Sequence, residues 1–304
     1  MHTTVSIIGA GRLGTALAIA LDKRGYVLEA LVARRVSHAR AASRLLSRKP
    51  SCLSADRLAR LPNSQLTLIA TPDDAIEAVA AKLAEQSAPA AAKREAGAGD
   101  RRKRTVLHTS GALSSAILAS LAAAGFQTGS LHPLVSISDA RSGAESLSSA
   151  FICLEGDQAA MKVAKRIVKD LGARSFSVES SHKALYHAAA VMSSGHVTAL
   201  FDVAIQMLIE CGLSEANARR VLLPLLESTW KNLITSDPSG ALTGTFARGD
   251  EATVRKHLAA LSAAQDADAL SAYQLLGKRS LKLLAQLGGD PTLIKRISAL
   301  LTKL

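Results

Sequence analysis

The chain has 304 residues, of which 48% are hydrophobic and 3% aromatic, and its formal net charge is +12. This length predicts two domains, and the apolar fraction excludes a chain that is disordered throughout. No apolar run reaches the roughly 18 residues that span a bilayer, and three cysteines without a CxxC pair exclude a disulfide framework. We therefore expect a cytoplasmic protein without a membrane partner.

The first 180 residues alternate between strand and helix patterns. Predicted strands cover 4–9, 27–33, 66–70, 105–109, 127–131, 151–155 and 174–178. Predicted helices cover 12–24, 37–47, 73–84, 114–124 and 158–171. This alternation is typical of an α/β domain with a doubly wound, mainly parallel sheet.

After residue 180 the strand patterns stop. Helical patterns cover 181–211, 214–235, 250–264, 266–287 and 291–303. The sequence therefore predicts an all-α second domain over 181–304, with a boundary near residue 180.

Residues 87–104 belong to neither pattern. The segment is rich in Ala and Gly, and six basic and two acidic residues give it a net charge of +4. A nucleic-acid-binding arm is one interpretation, but a flexible basic insertion is favoured because the chain has few aromatic residues to stack on bases. We expect no nucleic-acid partner.

The sequence GAGRLG directly follows the first strand and opens the first helix, within a strand–helix–strand unit. This is the context of a Rossmann dinucleotide-binding turn, in which backbone N–H groups at a helix N-terminus face a pyrophosphate. The alternative is a merely tight turn. The predicted cofactor residues are Gly9, Ala10, Gly11, Arg12, Leu13 and Gly14.

The end of the second strand carries Arg34, Arg35 and Ser37 where an NAD site would place an acidic residue. Two guanidinium groups there favour the 2′-phosphate of NADP, although solvated surface arginines would look the same in sequence. Later strand ends supply Thr71, Pro72 and Ser110 as further cofactor candidates. Helix capping by Thr71, Asp73 or Ser114 explains each of these polar clusters equally well.

Lys183, His187 and Ser194 share one face of the helix predicted over 181–211. Lys183 and His187 are the catalytic candidates, because such a pair could polarise a C=O or C=N group and deliver a proton. A solvated lysine and a core histidine are the alternative. The substrate candidates are His132, Ser194, Thr243 and Arg248. The histidine spacing gives no metal site.

The motifs GAGRLG, ATPD, HTSGAL, LHPL, HKALYHAAAVMSSGH and ALTGTFARGD occur in this order. Together they resemble a family of two-domain bacterial proteins with a Rossmann-like NADP-oxidoreductase domain and a helical domain of unknown function. A more distant similarity is to ketopantoate reductase and pyrroline-5-carboxylate reductase, of the 6-phosphogluconate-dehydrogenase-like superfamily. That similarity implies a catalytic lysine at Lys183, a helical domain that dimerises and a substrate in the interdomain cleft.

The pattern departs from these relatives at several positions. His187 and Val191 stand where ketopantoate reductases have asparagines. Gly195 lies where the closer family usually has asparagine, and Thr245 where it usually has proline. We predict an NADP-dependent reductase that transfers a hydride to a small, anionic keto or imino compound. The alternative is a non-catalytic NADP(H)-binding sensor or scaffold.

Overall fold

A computed structural model describes residues 3–94, 104–264 and 266–302. Contacts between Cα atoms divide the chain into two compact units, one up to Met192 and one from Ser193. The prediction separated the domains near residue 180, whereas the helix that starts at Lys183 packs with the first unit. The functional roles predicted for the two domains stay predictions.

The strands of the first unit form a single sheet of eight strands within the described residues. They are β1 Thr4–Ile8, β2 Val27–Ala33, β3 Ser51–Ser54, β4 Leu66–Ile69, β5 Thr105–His108, β6 Gln127–Leu134, β7 Phe151–Gly156 and β8 Arg174–Ser177. Their order is β3-β2-β1-β4-β5-β6-β7-β8. Neighbours are parallel except β6 and β7, which pair antiparallel, so the predicted mainly parallel sheet is confirmed.

Helices cover both faces of this sheet. They are α1 Arg12–Lys23, α2 Val36–Ser43, α3 Asp73–Arg94, α4 Ala119–Ala123, α5 Ala140–Ser146, α6 Gln158–Leu171 and α7 Lys183–Met192. One core cluster buries Leu17 of α1 and Ile167 of α6, and a second buries Ile76 of α3 and Leu121 of α4. Two separate apolar layers are what a doubly wound sheet requires.

Short 3₁₀ helices occupy several connections, at Ala55–Arg60, Ser115–Leu118, Leu147–Ser149 and Ser180–His182. The strand β3 and the helix α5 were not predicted from sequence. Within the predicted insertion, α3 continues to Arg94, and residues 95–103 lie outside the described residues.

The second unit is helical, as predicted. It contains α8 Gly195–Glu210, α9 Glu215–Thr235, α10 Gly244–Ala247, α11 Glu251–Ala264, α12 Ala267–Gln286 and α13 Pro291–Leu300. Its core cluster includes Val254, Leu281 and Ile297. The prediction of one continuous helix over 181–211 is wrong, because α7 ends at Met192 and Ser194 has non-helical φ and ψ of −132° and −74°. The run Ser-Ser-Gly is poor in helix propensity, which favours a break there.

Many large apolar side chains on α8 and α9 are exposed. They include Val197, Leu200, Met207, Val221, Leu223, Leu225, Trp230, Leu233 and Ile234. By length and composition alone, one described segment, Ser180–Glu210, could cross a membrane, which is weak evidence for such a role. The break after Met192 divides that segment into two helices.

Candidate functional site

The turn between β1 and α1 has the geometry that its glycines predict. Gly9 has a φ of 110°, and its N–H and that of Ala10 donate to the Val32 carbonyl at 2.8 and 2.9 Å. A Cβ on Gly9 would overlap the Ala70 backbone, and one on Gly14 would overlap the Gly9 carbonyl oxygen. Both positions therefore require glycine for close packing.

Gly11 differs from the other two glycines because its surroundings are open. No heavy atom lies within 4 Å of a Cβ built there, and the residue is exposed. It is the N-cap of α1, and no side chain caps that helix. Unpaired N–H groups beside open space fit a pyrophosphate, so the residues present fit a dinucleotide.

Two exposed arginines follow β2 directly. Arg34 and Arg35 lie at the carboxyl end of the strand, and Arg35 is the N-cap residue of α2. The first turn of α2 contains no acidic residue, and Ser37 is exposed there. This edge of the sheet can therefore receive a phosphate without repulsion from that turn.

The predicted cofactor residues at the carboxyl ends of β4 and β5 differ in whether their hydroxyl groups are already hydrogen-bonded. Thr71 Oγ1 is buried and makes no hydrogen bond to the described residues, so it is available to a ligand. Ser110 Oγ instead donates to Asp73 Oδ2 at 2.8 Å and accepts from the Leu113 N–H at 3.0 Å. That hydroxyl therefore organises its own loop, whereas Ser114, one of the residues of the capping alternative, makes no side-chain cap. Pro72 is exposed beside Thr71.

Lys183 is the largest fully buried side chain of the described residues, at 1% exposure. Its ammonium group donates to Ser130 Oγ at 3.0 Å and to the Ser110 carbonyl at 3.3 Å. Burial lowers the pKa of Lys183, while nearby Cys153, Glu155 and Asp73 oppose that shift. The structure thus rejects a solvated Lys183 and places its ammonium group at the carboxyl end of β5, beside the middle of β6.

His108, at the end of β5, is fully buried beside Lys183. The Ser110 N–H donates to His108 Nδ1 at 3.2 Å, and His108 Nε2 lies 3.2 Å from the Ser114 carbonyl oxygen. Burial and the Lys183 charge lower the pKa of His108 to about 4. His108 is therefore neutral, and its Nε2–H donates to Ser114.

A second group of rings surrounds Gly111. The ring centroids of His132 and His187 are 5.5 Å apart in an edge-to-face arrangement, and His132 Nδ1 lies 2.7 Å from the Tyr186 phenol oxygen. A Cβ on Gly111 would lie 2.8 Å from His132 Nε2 and would overlap His187 Nδ1. His187 Nδ1 is buried and has no hydrogen-bond partner among the described residues.

The predicted pair of Lys183 and His187 therefore lies within one group with His132, near the end of β6. Tyr186 and Glu155 also belong to this neighbourhood but were not predicted. Tyr186 lies three residues after Lys183 on α7, a helical spacing that sequence reasoning could have used. Glu155 gave no sequence signal, since it is a single carboxylate at a strand end.

The remaining substrate candidates lie in the second unit. Ser194 precedes α8 after the helix break, so the predicted stripe from Lys183 to Ser194 on one helix is wrong. Thr243 is the exposed N-cap residue of α10, and Arg248 is exposed at the end of that helix. Their role towards a substrate stays a prediction.

No group of three or more His, Cys, Asp or Glu residues in the described parts of the chain could hold a metal ion. The free cysteines there are Cys52, Cys153 and Cys211, of which Cys153 is buried.

The fold and the glycine turn define a Rossmann-like protein, and residues 1–133 match the family model of a Rossmann-like domain. Residues 150–280 match the family model described as a domain of unknown function, DUF2520. The chain is therefore a two-domain protein with a Rossmann-like domain followed by a DUF2520 domain. This confirms the resemblance carried by the sequence motifs.

Solved structures share the fold at low identity. A "putative NADP oxidoreductase" from Bacteroides fragilis has a TM-score of 0.72 and 22% identity, over 92% of this chain and 98% of that one. A Thermotoga maritima protein has a TM-score of 0.68 and 20% identity, over 93% and 98%. A 1-pyrroline-5-carboxylate reductase from Streptococcus pyogenes has a TM-score of 0.59 and 14% identity, over 98% and 99%.

No curated protein sequence matches this chain. The more distant similarity to ketopantoate reductase stays a prediction.

Proposed function

We propose that the protein is an NADP-dependent reductase that transfers a hydride to a small keto or imino compound. The observation that carries the proposal is the buried Lys183 ammonium group at the carboxyl end of β5, where it also contacts Ser130 in the middle of β6. In open α/β sheets, ligands bind outside the carboxyl ends of the strands. The names of two neighbours, an NADP oxidoreductase and a pyrroline-5-carboxylate reductase, support the same reaction class.

The cofactor proposal rests on the β1–α1 turn and on the end of β2. The N–H groups at the start of α1 would bind the pyrophosphate beside Gly11, and Thr71 Oγ1 would gain the hydrogen bond that it lacks. Arg34 and Arg35 would pair with a 2′-phosphate, and Ser37 could add a hydroxyl donor. NADPH, when bound, supplies the hydride.

The chain's own residues would orient the substrate and supply a proton. Lys183 places a positive charge where negative charge develops on a reduced carbonyl, and this charge favours an anionic substrate. His132 and His187 border Gly111, and because His132 is neutral with its Nδ1 bonded to Tyr186, His187 is the residue proposed to donate a proton to the substrate. Ser194, Thr243 and Arg248 are proposed to complete the recognition of the substrate.

Oxidation of NADPH, screened over 2-oxo acids and cyclic imines, tests this proposal. We expect turnover by the wild-type protein and at least about 100-fold less by Lys183→Met, which removes the charge and keeps an unbranched apolar stem. Lys165→Met, an exposed lysine on α6, is the matched control and should retain activity. Equal activity of both variants would contradict the role of Lys183.

The burial of Lys183 also favours the alternative function, a non-catalytic NADP(H) sensor or scaffold. An ammonium group that is 1% exposed and bonded to Ser110 and Ser130 has little access to a substrate. Binding of NADPH without turnover of any screened compound would favour this alternative. Failure to bind NADPH would exclude both functions.

We further propose that the protein forms a homodimer through its helical unit. Trp230 and Ile234 are 58% and 69% exposed on α9, an arrangement that leaves a large apolar surface in water. Light scattering on the wild-type protein should give twice the mass of one chain. In Trp230→Asp the measured mass should fall towards that of a single chain. Leu287→Asp, at an exposed apolar position after α12, is the control. Binding to lipid vesicles instead would contradict the expectation that the protein has no membrane partner.

A further inference from the structure

Glu155 connects three segments of the chain around Lys183. It lies in β7, and its carboxylate accepts hydrogen bonds from the Ser115 N–H at 2.7 Å, the Ser115 hydroxyl at 2.7 Å and the Ser180 hydroxyl at 2.9 Å. Ser115 begins the 3₁₀ helix after β5, and Ser180 begins the 3₁₀ helix that leads into α7. The carboxylate therefore fixes both segments to the same strand.

We propose that Glu155 is a positioning residue, which fixes the start of α7 and thereby holds the Lys183 ammonium group against Ser110 and Ser130. The 3₁₀ helix from Ser180 to His182 continues directly into α7, and Lys183 has helical φ and ψ of −55° and −45°. A hydrogen bond at Ser180 therefore acts one turn before Lys183. The effect of Glu155 on the position of Lys183 is independent of the proposed function, and only its consequence for the reaction rests on that function.

Charge supports the same role. Burial raises the pKa of Glu155. The hydrogen bonds from Ser115 and Ser180 and the charge of Lys183 together outweigh burial, so the pKa of Glu155 lies below its usual value. A carboxylate at this position therefore stays ionised near neutral pH. Its charge offsets part of the desolvation cost of burying an ammonium group.

Several other ionisable groups also face Lys183. Cys153 on β7 and Asp73 on α3 raise the pKa of Lys183 along with Glu155, whereas burial lowers it. Lys183 in turn lowers the pKa of His108 on β5 and of His132 on β6. Glu155 differs from these groups because it is bonded to the 3₁₀ helix that leads into α7, whereas His132 is bonded to α7 itself, at Tyr186.

The ammonium group of Lys183 in the full-length protein gives a direct test by ¹⁵N NMR. A buried, hydrogen-bonded ammonium group exchanges slowly with water, so the wild-type protein should show a Lys183 signal that is missing in Lys183→Met. Ser180→Ala removes one bond and keeps the Glu155 charge. We expect this variant to broaden the Lys183 signal and to speed amide exchange at 183–187 about tenfold, since charge-assisted hydrogen bonds are the stronger ones.

Two further variants separate charge from packing. Glu155→Gln keeps the side-chain size but removes the charge, so we expect it to lower the pKa of Lys183 measured in the same spectra. Ser181→Ala is the matched control, because it leaves the three hydrogen bonds of Glu155 in place, and its spectra should match those of the wild-type protein.

The proposal is overturned if the wild-type protein shows no slowly exchanging Lys183 signal. It is equally overturned if Ser180→Ala and Glu155→Gln both leave that signal and the amide exchange of α7 unchanged. Should Glu155→Gln fail to fold, the Ser180→Ala result decides alone. The NADPH oxidation screen is independent of these spectra, so failure of the proposed reaction is distinguishable from failure of the positioning role.

Discussion

The phenol oxygen of Tyr186 lies 2.7 Å from Nδ1 of His132, and both groups are uncharged near neutral pH. Burial raises the pKa of Tyr186 above its usual value and lowers the pKa of His132 to about 4. The hydrogen bond therefore joins two neutral groups, and it connects α7 to the end of β6.

Tyr186→Phe should remove this bond and leave His132 Nδ1 without its partner. We expect a loss of about 1–2 kcal/mol in the free energy of unfolding, measured in urea. Tyr273→Phe is a matched control, because Tyr273 makes the same contact to His257 Nδ1 at 2.8 Å at a more exposed position. A loss below about 0.5 kcal/mol is expected there. Equal losses would show that burial does not determine the cost.

Stability should fall as the pH falls from about 6.5 to about 4. The pKa values of His108 and His132 are lowered to about 4 in the folded chain, chiefly by burial, against an ordinary histidine pKa of 6.5. Between these two pKa values the unfolded chain binds more protons than the folded chain. The stability contributed by the two neutral histidines is therefore fully present above pH 6.5 and is lost towards pH 4. Each group can contribute up to about 3 kcal/mol.

Urea unfolding at pH 5 and pH 7 measures this effect. His132→Asn should reduce the difference between the two pH values, because the variant removes one of the buried imidazoles. His38→Asn, at an exposed position on α2, should leave the difference unchanged. A stability that is flat from pH 7 to pH 5 would contradict the lowered pKa values.

Two glycines of the β1–α1 turn should respond oppositely to alanine. Gly14→Ala places a Cβ against the Gly9 carbonyl oxygen, so we expect a loss of about 2 kcal/mol or more in stability. Gly11→Ala meets open space and should leave the melting temperature within a few degrees of the wild type. It should nevertheless weaken NADPH binding, because the methyl group occupies the approach to the pyrophosphate. Fluorescence titration and thermal melts measure the two effects.

Arg34→Ala should weaken the binding of NADPH about tenfold and that of NADH little. The reason is a charge-assisted pair with the 2′-phosphate, which NADH lacks. Arg40→Ala, on the exposed side of α2, serves as the control. Equal losses for the two nucleotides would assign Arg34 to the shared part of the dinucleotide.

The sequence predicted the sheet well because its strands are short apolar runs separated by amphipathic helices. The run LTLI of β4, for example, is buried at every position. It missed β3, since SCLS is polar and only partly buried at the edge of the sheet. An edge strand depends on pairing with its neighbour more than on its own apolar pattern.

The candidate site was predicted only in part. Helical spacing placed Lys183 and His187 on one face, and both lie in the observed group. The same reasoning failed at Ser194, because periodicity does not reveal that a helix breaks at Ser193–Ser194. Glu155 could not be found in this way, since its partners Ser115 and Ser180 are distant in sequence and meet it only in the folded sheet.

The antiparallel pairing of β6 with β7 has a consequence for how this protein can be divided. The DUF2520 match begins at residue 150, yet β7 and β8 complete the sheet begun by the Rossmann-like half. A fragment that ends before residue 150 would leave the long strand β6 as an open edge, able to pair with other chains. The two sequence families therefore meet inside one folding unit, and separate expression of the halves should give insoluble material rather than two modules.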